Sequence, residues 1–149
     1  MTRLLDIPPV YFLASAILML LLHLGWPGPQ LALGPWRWLG LLPIAGGVAL
    51  AIAAARQFKR AGTAVRPFSE PSAVVTSGPF AFTRNPMYLG MVACLVGWAV
   101  ILGSVTPVVV IAGFFALIHY RFVLREEPFM AERFGEAYRA YTARVRRWI

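Results

Sequence analysis

Four ionisable residues follow one another closely after the last long apolar run: Arg121, Arg125, Glu126 and Glu127. Two adjacent carboxylates beside a hydrophobic segment repel each other, and removing them from water is costly unless a cation lies near. The two arginines could supply that cation in an ordinary surface cluster. A ligand that carries both an ammonium and a sulfonium would be a better reason for the pair. The residue types therefore indicate either a surface ion-pair cluster or a site for a cationic ligand.

A second polar stretch, from Ser69 to Tyr88, connects two apolar runs. It contains three prolines and one glycine, so it cannot be one regular helix. Its backbone N–H and C=O groups must find other partners. A polar cofactor such as an adenine nucleoside could supply them, with Phe80, Phe82 and Tyr88 stacking on the purine. An ordinary loop that bonds to water is the alternative, and composition alone favours it.

Long apolar runs must hold these two stretches in place. Hydrophobic residues make up 59% of the 149 residues and charged residues 13%, which favours a membrane protein. The run from Met87 to Ile118 would make one helix of about 48 Å, well beyond a hydrocarbon core of about 30 Å. Turn-forming residues from Gly103 to Pro107 divide it. The sequence predicts a single all-α membrane domain with four spans, at about 8–26, 38–55, 87–103 and 107–123.

The basic residues indicate how these spans are oriented. If both termini are cytoplasmic, 13 of the 14 Lys and Arg residues fall on the cytoplasmic side, and Arg37 is the exception. The net charge of +8 thus reflects orientation rather than nucleic-acid binding, because the basic residues flank the apolar runs. We expect an integral protein of the inner membrane of a prokaryote, with no cleavable signal peptide and with both polar stretches in the cytoplasm.

The C-terminal segment, residues 124–149, differs from the spans. From Phe134 onward, apolar or aromatic side chains recur at Tyr138, Tyr141, Val145 and Trp148. The spacing alternates between four and three residues, which is one helical stripe. It predicts an amphipathic helix at the cytoplasmic membrane face. Such a helix could only anchor the protein to anionic lipid, or it could also form, together with the Ser69–Tyr88 stretch, the roof of a cofactor pocket.

Four motifs in a fixed order make the chain similar to a known family. They are Val-Val-Thr-Ser-Gly-Pro-Phe at 74–80, Arg-Asn-Pro-Met-Tyr-Leu-Gly at 84–90, Glu126-Glu127, and Phe-Gly-Glu-Ala-Tyr at 134–138 with Tyr141 and Arg144-Val145. Over roughly residues 58–149 this set resembles the isoprenylcysteine carboxyl methyltransferase family. The related phospholipid methyltransferases share the Arg-x-Pro-x-Tyr and Glu-Glu elements. The resemblance implies a cytoplasmic active site that transfers a methyl group from S-adenosylmethionine to a membrane-embedded acceptor, an isoprenylcysteine-like carboxylate or a lipid amine.

The resemblance also implies which residues hold the cofactor. Four residues would border it largely through their backbone: Ser72, Ala73, Val74 and Val75. Phe80 would sit against it, and Glu126 would bind its amino-acid end. The family's His-Pro-x-Tyr element, which holds the adenosine, falls on Asn85, Pro86, Met87 and Tyr88. Asn85 stands where a histidine is common, and it can replace one hydrogen bond of a neutral histidine but cannot titrate.

The acceptor side matches the family less closely. The arginine that binds the acceptor in the carboxyl methyltransferases falls on Phe122 here, so Arg121 or Arg125 would have to take its role. That departure argues against a carboxylate acceptor. An amine acceptor must lose a proton, and Glu127 or Tyr88 could then assist.

Three other functions stay open on sequence grounds. Related small membrane folds include nicotinamide-dependent reductases of sterol-like substrates, which would bind NADPH. A channel or transporter subunit would need an ion path, and no charged residue lies in the middle of a predicted span. An inactive methyltransferase homologue would carry the same motifs. A metal site is not predicted, because His23 and His119 fall near opposite membrane faces, and the sequence carries no signal for oligomeric state.

Overall fold

The computed structural model describes residues 7–63 and 72–149, and within them the chain is all-α, as predicted. Helix α1 covers Pro8–Gly25, and α2 covers Leu41–Arg60 after a 3-10 helix at Gly34–Gly40. A short 3-10 helix at Gly78–Ala81 precedes α3, Pro86–Leu102. The remaining elements are α4, Val108–Ile118, a π-helical turn, His119–Val123, α5, Leu124–Phe134, and α6, Glu136–Arg144.

Among the described residues, three stretches are long and apolar enough to cross a membrane: Pro8–Gly25, Gly34–Arg60 and Val108–Phe134. The other apolar helix, α3, has 17 residues and is about 26 Å long, slightly shorter than a hydrocarbon core. It begins with a proline and ends at Gly103, whose φ of 68° stops the helix at the predicted turn. The chain is therefore an integral membrane protein, and α3 is an apolar helix shorter than the three candidate spans.

Helices α2 and α3 pack with their backbones in contact, because glycines face each other at two levels. A Cβ on Gly47 would collide with the carbonyl oxygen of Gly90, and a Cβ on Gly90 would collide with that of Gly47. Gly40 and Gly97 form the second pair in the same way. Small residues thus allow the close approach of the two helices at these positions. Gly46 instead faces outward, with open space where a Cβ would stand.

Helices α1 and α4 pack against the other side of α3. Their shared core contains Met19, Leu95, Phe114, Ile118 and Phe122. The indole N–H of Trp98 in α3 also donates to the carbonyl oxygen of Ala16 in α1, at 3.1 Å. Because α3 packs against α1, α2 and α4, its neighbours fix the position of its first turn.

The bundle has two chemically different ends. At one end the 103–106 turn forms backbone hydrogen bonds with residues 27–31, and the buried Ser104 hydroxyl lies 2.9 Å from Nδ1 of His23. The other end, which we name the basic end, contains the end of α2, residues 72–85 and the chain from the π-helical turn to Ile149. His119 belongs to the basic end, so the two histidines lie at opposite ends, as predicted.

The C-terminal segment differs from the prediction in two ways. Helical structure does not stop at residue 123, the predicted end of the fourth span, because the π-helical turn carries the chain into α5, which continues to Phe134. The stripe from Phe134 to Trp148 is not one helix, because Gly135, at φ 52° and ψ −122°, separates α5 from α6. α6 ends at Arg144, and its aromatic side chains, Tyr138 and Tyr141, are buried inside the protein rather than turned to lipid.

Candidate functional site

Residues 72–85, the described part of the polar stretch that precedes α3, are tied to the end of α2. Ser72 donates its backbone N–H to Oγ1 of Thr63 at 2.9 Å and its hydroxyl to a neighbouring carbonyl. Ser77 donates its hydroxyl to Oε1 of Gln57 at 3.1 Å. This loop is therefore folded against the bundle. The three residues before Ser72 that the predicted cofactor loop includes lie outside the described residues.

Two apolar clusters hold the loop from different sides. One joins Val75 and Phe80 to Ala54 of α2, with the rings of Phe80 and Phe58 edge to face at 5.1 Å. The other packs Val74 against three residues of the C-terminal segment: Tyr138, Tyr141 and Val145. The amphipathic stripe of the sequence thus packs against the loop.

Tyr141 also fixes the loop with a hydrogen bond. Its hydroxyl donates to the carbonyl oxygen of Phe80 at 2.7 Å. Burial raises the pKa of Tyr141 to about 12, with a smaller contribution from the neighbouring Tyr138. The hydroxyl therefore stays protonated and remains a donor at neutral pH.

The three aromatic residues that the sequence offers for stacking on a purine do not converge. Phe80 is buried against Phe58, and Phe82 is 81% exposed. Tyr88 is buried in the bundle, with its ring centroid 6.4 Å from that of Phe122. A shared stacking platform is therefore absent from these three residues, because each ring belongs to a different environment.

Glu126 and Glu127 point in different directions, because consecutive residues of a helix with 3.6 residues per turn are rotated by about 100°. Oε1 of Glu126 accepts a hydrogen bond of 2.8 Å from the hydroxyl of Tyr88. Tyr88 is buried in the first turn of α3. This bond joins the start of α3 to α5 and brings the carboxylate to the motif at residues 84–90.

Glu127 is bound by two arginines. Arg147 donates from Nε to Oε1 at 2.8 Å and from Nη2 to Oε2 at 2.7 Å, a bidentate arrangement. Nη1 of Arg84 lies 3.1 Å from Oε1. The hydrogen bonds to Glu127 raise the pKa of Arg147 above its ordinary value. Charge-assisted bidentate pairs of this kind are stronger than hydrogen bonds between neutral groups.

The tail after α6 also binds the loop through its backbone. The N–H of Arg84 donates to the carbonyl oxygen of Arg146 at 3.0 Å. The hydroxyl of Thr83 and the side-chain amide of Asn85 donate to the carbonyl oxygen of Arg147, at 3.2 and 2.9 Å. Asn85, at the position where the family commonly has histidine, therefore holds the tail in place.

The candidate acceptor arginines lie on the surface of the basic end. Arg121, in the π-helical turn, and Arg125, in the first turn of α5, are both exposed. Phe122 is fully buried, and its ring lies beside those of Tyr88 and Tyr11. A core phenyl ring thus occupies the position that the sequence resemblance assigns to the acceptor arginine.

Comparison with known proteins shows which sequences the chain is similar to. The sequence model of the phospholipid methyltransferases matches residues 35–137, more than half of the chain. The chain belongs to the phospholipid methyltransferase family. A protein of Haemophilus influenzae described as uncharacterized is 33% identical over 63 residues, which are 42% of this chain and 100% of that protein. No solved structure matches the chain.

Membership of the phospholipid methyltransferase family implies methyl transfer to a lipid-related acceptor. Around Glu126 and the loop, the structure adds four residues that the sequence did not assign to the site: Arg84, Tyr138, Tyr141 and Arg147. Arg84, Tyr138 and Tyr141 belong to the motifs that carry the family resemblance, so the sequence contained a signal for assigning them to the site. Arg147 is one of several arginines near the C-terminus, and nothing in the sequence separates it from the others.

An apolar groove at the other end of α2 is not part of this site. It is lined by Pro35, Trp36, Trp38, Leu39, Leu41 and Leu42. Gln57, which binds the loop, lies 16 residues beyond the start of α2, or about 24 Å along its axis. The lining offers no charged group for a charged cofactor and suits contact with lipid.

Proposed function

We propose that this protein transfers a methyl group from S-adenosylmethionine to a lipid acceptor in the membrane, at the basic end of the bundle. The observation that carries the proposal is the hydrogen bond of 2.8 Å between Tyr88 and Glu126. It joins the Arg-x-Pro-x-Tyr and Glu-Glu elements, 38 residues apart in the sequence, in a chain of the phospholipid methyltransferase family.

The two glutamates differ in how their charge is neutralised, and this difference fits a cationic ligand. Both carboxylate oxygens of Glu127 bind guanidinium groups. Glu126 accepts a hydrogen bond from the hydroxyl of Tyr88. This partner is a neutral group, so it does not cancel the negative charge of the carboxylate. A carboxylate near the membrane boundary gains from a nearby cation, because the dielectric constant is low there. We therefore assign the ammonium group of the cofactor to Glu126.

The loop offers groups that suit an adenosine. No other described residue forms a hydrogen bond with the backbone of residues 73–76, although Val75 is buried. Backbone groups in such a place need a partner. We propose that this backbone binds the adenosine together with Ser72 and with the start of α3. Phe80 would support the loop by packing against Phe58 of α2. The residues proposed at the start of α3 are Asn85, Pro86, Met87 and Tyr88.

S-adenosylmethionine, when bound, supplies an electrophilic methyl group on a positively charged sulfur. The protein then has to position the acceptor and exclude water. If the acceptor is an amine, a proton must also leave it. Oη of Tyr88 would take that proton while it passes its own proton to Oε1 of Glu126, 2.8 Å away. Glu127 is a weaker candidate for this step, because both of its oxygens are already bound to arginines.

The acceptor side favours an amine over a carboxylate. A carboxylate acceptor needs a cation close to the reacting atoms, and the matching position holds the buried Phe122. Arg121 and Arg125 are exposed and would have to serve from the surface of the basic end. We propose a lipid amine as the acceptor and keep the isoprenylcysteine carboxylate as the alternative, with Arg121 or Arg125 as its partner.

Ligand binding tests the cofactor assignment directly. The purified protein should bind S-adenosylmethionine or its demethylated product, S-adenosylhomocysteine, and should bind NADPH weakly or not at all. The reason is the carboxylate of Glu126 beside Tyr88, which suits a cation and would repel the phosphates of NADPH. Isothermal titration calorimetry in detergent micelles measures both. Tight NADPH binding without S-adenosylmethionine binding would favour the membrane reductase instead.

We also propose that the basic end and both termini face the cytoplasm. The positive-inside rule predicts this orientation, because 13 of 14 basic residues lie on that side. In a Cys94→Ala background, Arg60→Cys should react with a membrane-impermeant maleimide only after the cells are opened. Trp36→Cys, at the opposite end and 68% exposed, should react in intact cells. The reverse pattern would refute the orientation.

A further inference from the structure

We infer that Arg84, Glu127 and Arg147 form a clamp that positions Glu126 and the loop. The C-terminal tail, residues 145–149, thereby contributes to the cofactor site. The clamp is defined by these three side chains, which come from the loop, from α5 and from the tail. The identity of the ligand rests on the proposed function, whereas the clamp itself rests on geometry.

The clamp is shielded from solvent more than an ordinary surface ion pair. The side chains of Arg84 and Glu127 are 15% and 20% exposed, and that of Arg147 is 36% exposed. The pair of Arg139 and Glu136 on α6 is a useful contrast, with a distance of 3.9 Å and exposures of 75% and 87%. Exposed pairs contribute little to stability, because water and salt screen them. The clamp is therefore an ion-pair group that is able to hold structure near the loop.

The position of Glu126 depends on the clamp because α5 is weakened on both sides of the two glutamates. The π-helical turn ends at Val123, and Pro128 lies inside α5. A π-helical turn changes the backbone hydrogen-bonding pattern, and proline removes one donor from it. The rotation of this short helical piece is then set by side-chain contacts, and Glu127, the residue next to Glu126, makes the strongest of them.

The loop depends on the same tail residues. The backbone of Arg146 and Arg147 accepts hydrogen bonds from residues 83–85, directly before the helix start that carries Tyr88. The next residue, Trp148, anchors the tail to the bundle, with its ring 4.7 Å from that of Phe115. Release of the Arg147 side chain would thus loosen both partners of the bond between Tyr88 and Glu126.

The test uses the full-length protein in detergent and compares Arg147→Gln, Arg147→Lys and the control Arg139→Gln. Without ligand, Arg147→Gln should speed amide hydrogen exchange in residues 83–90 and 124–128. Its affinity for S-adenosylhomocysteine should fall about tenfold, the loss expected for one charge-assisted contact. Arg147→Lys keeps the charge but not the bidentate geometry, and should lose about threefold. Arg139→Gln, which removes an exposed pair, should change neither readout.

Each outcome decides the inference. Unchanged exchange in Arg147→Gln would overturn the clamp, and faster exchange with unchanged affinity would overturn its positioning role. Faster exchange with weaker binding, partly restored in Arg147→Lys, would support both. If Arg147→Gln loses protection from amide exchange throughout the bundle, the Arg147→Lys variant decides instead. Wild-type exchange and affinity in Arg147→Lys would then count against the clamp. A wild-type protein that binds no S-adenosylhomocysteine would sink the proposed function, while the exchange data would still decide the clamp.

Discussion

Replacement of Glu126 by glutamine should weaken the binding of S-adenosylmethionine by roughly 10- to 100-fold and leave the protein folded. Glutamine keeps the size of the side chain and can still accept the hydrogen bond from Tyr88. What it removes is the negative charge that we assign to the ammonium group of the cofactor. The loss of a charge-assisted hydrogen bond costs about 1.5–3 kcal/mol, which gives the expected factor. Calorimetry on the purified variant measures the dissociation constant.

Two control variants separate a direct contact with the cofactor from a change in surface charge and from an opened clamp. Glu132→Gln removes an exposed carboxylate from the same helix and should leave the affinity unchanged. Glu127→Gln should weaken binding less than Glu126→Gln, and it should speed amide exchange in the loop, because it opens the clamp. If Glu126 only belonged to a surface cluster with Arg121 and Arg125, its replacement would cost about 0–1 kcal/mol and barely change binding. A larger effect at Glu127 than at Glu126 would assign the ammonium to Glu127.

The apolar helices could be predicted from the sequence because lipid leaves few choices. Backbone groups in hydrocarbon must be satisfied within the segment, so a long apolar run has to be helical. Gly103 marks the turn between α3 and α4 for an equally local reason. The continuation of α4 into α5 has no such signal. Charged residues indicate where the membrane ends, but a helix can continue past that point as long as its backbone remains hydrogen-bonded.

The partners of the glutamates could not be predicted, because they are a tertiary property. In the sequence, Arg121 and Arg125 are the nearest cations to Glu127, whereas the folded chain brings Arg84 and Arg147 to it from distant segments. The stripe at Tyr138 and its neighbours was equally ambiguous, because its apolar periodicity is the same whether it meets lipid or protein. The motif resemblance could name Glu126 and Tyr88 but not the hydrogen bond between them.

The close contact of α2 and α3 predicts a sharp difference between two adjacent glycines. Gly47→Ala should destabilise the protein by about 1–3 kcal/mol, because its Cβ would collide with the backbone of Gly90 and force the helices apart. Gly46→Ala meets open space, and it should be neutral or stabilising by about 0.5–1 kcal/mol, since alanine is the better helix former. Thermal unfolding in detergent, followed by intrinsic fluorescence, compares the two variants.

The same substitution should reach the site through α3. A wider gap between α2 and α3 would shift the helix that carries Tyr88, while Ala54 and Phe58 of α2 still hold the loop at Phe80. Gly47→Ala should therefore weaken cofactor binding even at temperatures where the protein remains folded, and Gly46→Ala should not. Wild-type stability of Gly47→Ala would mean that the helix backbones are free to separate. Equal stability loss at both positions would point to the flexibility of glycine rather than to packing, because only Gly47 faces the partner helix.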